Sequence, residues 1–178
     1  LQELTAGEPG ILSVDIEQSP MFWFQGYKGM ETTSFKGRYY LTGDTAELNS
    51  DGSISFVGRS DDVISTSGYR VGPFDVESAL LEHPLVVEAA VVGKPDPQRN
   101  EIIKAFVILQ DGQEGTAELA EELRLHVRNR LAAHAYPREI EFPAELPKTP
   151  SGKVQRFILR MNEVNKYNEE QAAKQAVS

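Results

Sequence analysis

Three short segments set charged side chains among glycine, serine, threonine and proline, and they are the parts of the sequence that could do chemistry. The first is Tyr40-Leu41-Thr42-Gly43-Asp44. The second is Gly58-Arg59-Ser60-Asp61-Asp62-Val63-Ile64, continued at Ser67-Gly68-Tyr69-Arg70-Val71-Gly72. The third is Leu146-Pro147-Lys148-Thr149-Pro150-Ser151-Gly152-Lys153. Their carboxylates accept hydrogen bonds, and their guanidinium and ammonium groups neutralise negative charge. Taken singly each segment is modest, because Thr-Gly-Asp is a common turn and Ser-Gly-Lys a common loop.

Generic catalytic signatures are absent. There is no glycine-rich phosphate loop ending in Lys-Ser or Lys-Thr, no Gly-x-Ser-x-Gly elbow and no His-Glu-x-x-His metal helix. His83, His126 and His134 are scattered, and no metal ligand is assigned to them. Asp61-Asp62 and Glu121-Glu122 read, on spacing alone, as solvated surface. The chain has no cysteine, which excludes disulfides, thiolate metal sites and a cysteine nucleophile. Its formal charge of -9 repels nucleic acid and anionic membrane at long range. No apolar run approaches the ~20 residues of a membrane span. The first residue is Leu1, with no basic stretch leading an apolar one, so the expectation is a fragment without a signal peptide, from a cytoplasmic protein.

The elements that must position those segments follow from periodicity and turn chemistry. Gly10 to Ile16 reads as a short strand leading into the aromatic stretch Met21 to Phe24, and Arg38 to Thr42 as another. Ala46 to Leu48 and Ile54 to Val57 flank Asp51-Gly52, a hairpin signal. This β-rich start has few large apolar residues and suits an edge piece of a larger β structure. The charged stretch 58–62 marks a domain boundary. Beyond it, Val63 to Ser65 and Tyr69 to Val71 form a hairpin around Thr66-Ser67-Gly68, and Pro73 opens a helix that Pro84 stops. Val86 to Val92 and Ile102 to Leu109 are strands. Thr116 caps a helix whose Leu119, Leu123, Val127 and Leu131 recur every four residues. Glu139 to Phe142 is a short strand, and Val154 to about Tyr167 a last helix. The expected fold is α+β: a central three-stranded sheet flanked by helices, plus a β-hairpin, preceded by a β-rich remnant.

In this order and at these separations the three segments resemble the C-terminal third of the adenylate-forming enzymes. That superfamily comprises acyl-CoA synthetases, peptide-synthetase adenylation domains and firefly luciferase. The match runs from about Gly37 to Leu159. Gly37-Arg38-Tyr39-Tyr40, Gly68-Tyr69-Arg70-Val71-Gly72-Pro73-Phe74 and Asp96-Pro97 look most like acetyl- and medium-chain acyl-CoA synthetases. The resemblance implies that residues 1–60 end a large N-terminal AMP-binding domain, that 61–168 form a small mobile domain, and that 169–178 are a frayed tail. It implies an acid–thiol ligase, in which a carboxylate attacks ATP to give an acyl-adenylate and coenzyme A then takes the acyl group.

On that resemblance Lys153 matches the catalytic lysine of the adenylation half-reaction, and Asp44 the carboxylate on the ribose hydroxyls of ATP or AMP. Arg59 matches a second ribose or phosphate contact and Arg70 an arginine near phosphate, while Asp61 matches the hinge. Gly68 matches the glycine that lies against the pantetheine arm of coenzyme A. Arg99, Arg138, Lys148 and Arg156 are looser candidates for coenzyme A phosphates. Magnesium is expected with ATP, with no ligand assigned in this chain. The partners implied are a carboxylic acid, ATP, coenzyme A and the missing N-terminal domain, without which the chain is expected to be inactive. The alternatives are an adenylation module that serves a carrier protein and a non-catalytic interaction module. No carrier-like Asp-Ser-Leu follows Lys153, and the joint presence of Asp44, Arg59 and Lys153 argues against the second.

Overall fold

The structure, a computed structural model, describes residues 2–26, 28, 29 and 31–176. The chain divides into two compact units, residues 1–61 and 62–178.

The first unit is a four-stranded antiparallel sheet built on one long strand. Strands β1 (Pro9–Asp15), β2 (Phe35–Lys36) and β4 (Ile54–Arg59) all pair with β3 (Tyr39–Leu48). Arg38 to Thr42 and Ala46 to Leu48, expected as separate pieces, are thus continuous, with Thr42-Gly43-Asp44 inside the strand and not in a turn. Gly43 makes this possible at φ +81°, and the register slips between Thr45 and Ala46. The β3–β4 hairpin closes where Asp-Gly predicts it, with Asn49 N donating to Ser53 O at 2.8 Å. Phe22, Phe24, Phe35 and Tyr40 form one aromatic cluster. Among the described residues of this unit only Thr45, Ala46 and Gly58 are buried, and Trp23 is 88% exposed. So small a core suits the edge piece expected of this region.

The second unit is a five-stranded sheet with helices on both faces. Strands β5 (Ile64–Thr66) and β6 (Tyr69–Val71) form the expected hairpin, and β7 (Val86–Asp96) pairs with β8 (Asn100–Leu109) along its length. The hairpin joins the three-strand core through Thr66 opposite Asn100, and β9 (Glu139–Glu141) adds in parallel to β8. The α+β expectation holds, with the hairpin part of the same sheet. Ser67 and Gly68 both have positive φ, 49° and 84°, as a two-residue hairpin turn requires.

Alternation along β7 and β8 sorts their side chains onto two faces. Ala89, Val91, Ile103, Ala105 and Val107 pack with α1 (Pro73–Leu81) and α2 (Ala117–Arg130). Ala90, Val92 and Phe106 pack with Leu146 and with Leu159 of α3 (Arg156–Ala176). Helix α2 starts where predicted: the Thr116 side chain accepts from Leu119 N, and Leu119, Leu123 and Val127 are buried. Helix α3 continues to Ala176, past the end expected near Tyr167. Residues 169–176 are therefore helical and not frayed, and 177 and 178 lie outside the described residues. No helix among the described residues is long and apolar enough to cross a membrane.

A buried ion cluster fastens α3 to the sheet. Lys104 Nζ donates to Glu163 Oε1 at 2.9 Å and lies 2.8 Å from Glu141 Oε2, and Lys166 reaches the same Glu163 oxygen at 3.1 Å. Glu163 Oε2 is buried without a partner among the described residues. Burial pushes the Glu163 carboxyl up, but the two lysines outweigh it and hold it below the ordinary glutamate value of 4.5. For Lys104 burial lowers the pKa, but Glu141 and Glu163 prevail and raise it above 10.5. Glu163 thus stabilises the fold above its unfolded pKa and loses that contribution as pH falls through the folded one. Lys104 contributes below 10.5 and loses its effect as pH rises through its folded value. Lys104→Met should lower stability by about 1–3 kcal/mol, because it leaves the buried Glu163 carboxylate with only the half-exposed Lys166 as a partner. Thermal melts across pH should show this gap narrowing in acid, as Glu163 is protonated and its under-compensated charge disappears.

Candidate functional site

The six candidate residues are divided between the two units, Asp44, Arg59 and Asp61 in the first and Gly68, Arg70 and Lys153 in the second. In the first unit Asp44 on β3 stands opposite Arg59 on β4. Arg59 Nη1 lies 3.5 Å from Asp44 Oδ1 and donates to Thr42 O at 3.3 Å, and its Nε donates to Asp61 Oδ1 at 3.2 Å. A Cβ on Gly43 would sit 2.9 Å from Arg59 Nη2. The absence of a side chain at Gly43 therefore lets the guanidinium lie across the strand between two carboxylates. Ser60 locks the crossing, its N and Oγ both donating to Gly43 O, at 2.8 and 2.9 Å. Asp44 and Arg59 stay partly exposed, at 32% and 51% of their side-chain surface. This leaves a carboxylate and a guanidinium, side by side, open to a polar ligand. Gly43 was in view in the Thr-Gly-Asp segment, but its close contact with a residue sixteen positions on (59 − 43) needs the hairpin to be seen.

Asp61 and Asp62, adjacent in sequence, have different surroundings. Asp61 is 59% exposed in its ion pair with Arg59. Asp62 is only 11% exposed, paired with Arg160 and 3.7 Å from Arg156 Nη1. The surface reading of Asp62 is thus corrected. Arg156 also makes a two-pronged contact with Glu77, at 2.8 and 2.6 Å, which raises its pKa further while burial opposes. Arg156, a looser phosphate candidate, is thus already engaged by two carboxylates. Lys148 is likewise engaged, 2.7 Å from Glu88.

Lys153 and Gly68 sit at opposite ends of the β7–β8 ladder. The Lys153 loop is a small hairpin: Thr149 N donates to Lys153 O, Lys153 N to Thr149 Oγ1, and Lys148 pairs with Val154. Gly152 turns it at φ +84°. Lys148 ties the loop to the Glu88 end of β7, and Lys153 itself is exposed, with no side-chain partner among the described residues. The Gly68 turn is tied to the other end, where Ser67 N donates to Arg99 O and Asn100 Nδ2 to Ser65 O. From Glu88 to Asp96 the strand spans about 26 Å. A Cβ on Gly68 would meet nothing within 4 Å, so the turn is open on its outer side.

Beside this turn is a cleft of about 250 Å³ lined by Thr66, Ser67, Tyr69, Arg99, His134 and Arg138, among others. Tyr69 stacks on His134 with ring centroids 4.0 Å apart. Arg70, next along β6, points away from Tyr69 by strand alternation and is exposed. Of the looser candidates, Arg99 and Arg138 thus share a cleft near Gly68. Nothing in the sequence singled out His134, because its partner is 65 residues away (134 − 69). His83 lies 3.2 Å from Glu122, and His126 contacts Ala79 O. No group of three His, Asp or Glu among the described residues could hold a metal ion.

Comparison with known proteins places this geometry in context. The family described as the AMP-binding enzyme C-terminal domain matches residues 75–153. The acetyl-coenzyme A synthetase of Bacillus subtilis is 56% identical over 135 residues, which are 76% of this chain and 24% of that protein. The crystal structure of a Brucella canis acyl-CoA synthetase is 67% identical, with a TM-score of 0.61 over 93% of this chain and 31% of the other. ATP-bound MatB from Rhodopseudomonas palustris is 28% identical, with a TM-score of 0.76 over 90% and 31%. The chain therefore spans about a quarter to a third of the length of the proteins it matches.

Proposed function

The chain belongs to the AMP-binding enzymes, and on that premise we propose that it is the C-terminal part of an ATP-dependent, AMP-forming acyl-CoA synthetase. In the first half-reaction a carboxylate oxygen of the acid bonds to the α-phosphorus of ATP and pyrophosphate leaves. In the second the sulfur of coenzyme A bonds to the acyl carbon, the acyl–phosphate oxygen bond breaks, AMP leaves with the electron pair, and the thiol proton passes to solvent.

The observation that carries this reading is the separation of Lys153 and Gly68 at opposite ends of one sheet. A single small unit can then serve two half-reactions by presenting one end and later the other. In the first, the Lys153 ammonium offsets negative charge as the carboxylate meets the α-phosphate. In the second, the open Gly68 turn lets the pantetheine arm pass close to the backbone, with Arg99 and Arg138 nearby for coenzyme A phosphates. Asp44 accepts from the ribose hydroxyls while Arg59, steadied by Asp61, holds its orientation, and Arg70 is a further phosphate contact. Residue 61 is the pivot, residues 1–60 end the large nucleotide-binding domain, and residues from 62 onward turn as the small one. Any magnesium on the phosphates takes its other ligands outside this chain.

The test is AMP release by the full-length parent, screened with carboxylic acids from acetate to decanoate, with and without coenzyme A. Release that needs both acid and coenzyme A is expected. Transfer to a carrier protein instead would favour the adenylation-module alternative, and no AMP at all the non-catalytic one. The isolated 178-residue chain should not consume ATP, a prediction that turnover by the purified chain would overturn.

A further inference from the structure

The residue that follows the pivot is bolted to the helix that follows the catalytic loop. Asp62 begins the second unit and is paired with both Arg156 and Arg160, on the first two turns of α3. Arg156 is the first residue of α3 and comes three positions after Lys153 (156 − 153). It is itself fixed by the two-pronged contact with Glu77 of α1. Glu77 is fixed in turn: it is buried, and its Oε1 accepts from Val91 N on β7 at 2.9 Å. A run of ion pairs and charge-assisted hydrogen bonds therefore joins Asp62, α3, α1 and β7. The Lys153 loop has one end in this cluster and the other at buried Leu146, and Gln155 N closes onto Pro147 O between them.

We propose that Asp62, acting through Arg156 and Arg160, is a positioning residue for adenylate formation: it makes the Lys153 loop follow the pivot without slack. A turn about residue 61 rotates the chain at Asp62. If that chain were tethered loosely, the rotation would dissipate in the linker before it reached Lys153, which lies far along the sequence. The cluster carries the rotation directly to the start of α3. The Gly68 turn does not depend on it, because Ile64 and Val71 are buried in the core beneath that hairpin and Thr66 is paired with Asn100. This inference rests on the reading of Asp61 as pivot and Lys153 as the adenylation lysine.

Two readouts test it. In the full-length parent, Asp62→Ala should lower kcat for pyrophosphate exchange about 100-fold, the usual cost of misplacing a catalytic group by about an ångström, with KM for ATP little changed. Thioester formation from supplied acyl-adenylate should be largely kept, and Asp62→Glu should restore much of the loss. In the 178-residue chain, amide exchange at Thr149, Gly152 and Gln155 should speed up in Asp62→Ala and slow again in Asp62→Glu. If Asp62→Ala does not fold, Arg160→Gln removes one of the two pairs and is read in the same way. Unchanged exchange, unchanged pyrophosphate exchange, or equal loss of both half-reactions overturns the proposal. Lys153→Ala run alongside separates the two levels: if it leaves adenylate formation intact, the underlying reading fails, whatever Asp62 does.

Discussion

Lys153→Ala in the full-length parent should depress acid-dependent ATP–pyrophosphate exchange by about 10²–10³-fold, the loss typical of removing one preorganised electrostatic donor, worth about 3–4 kcal/mol. The expectation follows from where the side chain sits. Lys153 is exposed and its ammonium has no partner among the described residues, so nothing in the fold depends on its charge. Its backbone is held firmly on both sides, through Thr149 and the bridge between Lys148 and Val154. Melting temperature should therefore be nearly unchanged, which separates a catalytic loss from a structural one. Lys153→Gln should behave like Lys153→Ala, because the missing element is the charge.

The second large effect is expected at Gly68. Gly68→Leu should cut thioester formation from supplied acyl-adenylate by about 100-fold, on the scale of a reacting group displaced by about an ångström. Two costs must be distinguished. At φ +84° any side chain is strained by about 1–2 kcal/mol. A side chain here also projects into open space, since no heavy atom lies within 4 Å of its Cβ. Gly68→Ala carries the strain with little bulk, so the loss of Gly68→Leu beyond that of Gly68→Ala measures obstruction of the arm. Equal losses in the two variants would assign the whole effect to the turn and remove the case for close passage.

The elements that sequence reasoning caught were those whose signal is local. Helix α2 carries a capping threonine and a four-residue apolar recurrence, and both hairpins carry glycine where φ is positive. What it missed depends on partners distant in the chain. Strand β3 runs through Thr42-Gly43-Asp44 because β1 and β4 hold it extended from both sides, overriding a tripeptide that elsewhere turns. Asp62 read as surface because its partners Arg156 and Arg160 lie more than ninety positions later (156 − 62 = 94). The final helix runs past its expected end because its polar residues from 168 to 174, mostly exposed, form a solvated helix face that composition alone reads as a tail. The candidate residues Asp44, Arg59, Asp61, Gly68, Arg70 and Lys153 came from the resemblance of three segments. Their grouping into an Asp44–Arg59–Asp61 cluster, a Gly68 turn and a Lys153 loop comes from the topology.

The claim on which the rest depends is that one small unit uses its two ends in succession. The measurement that tests it most directly is the ratio of the two half-reaction rates in Lys153→Ala and Gly68→Leu, determined on the same preparations of the full-length parent. The ratio of pyrophosphate exchange to thioester formation should fall steeply in the first variant and rise steeply in the second. Ratios that stay level in both, or shift in the same direction, would contradict it.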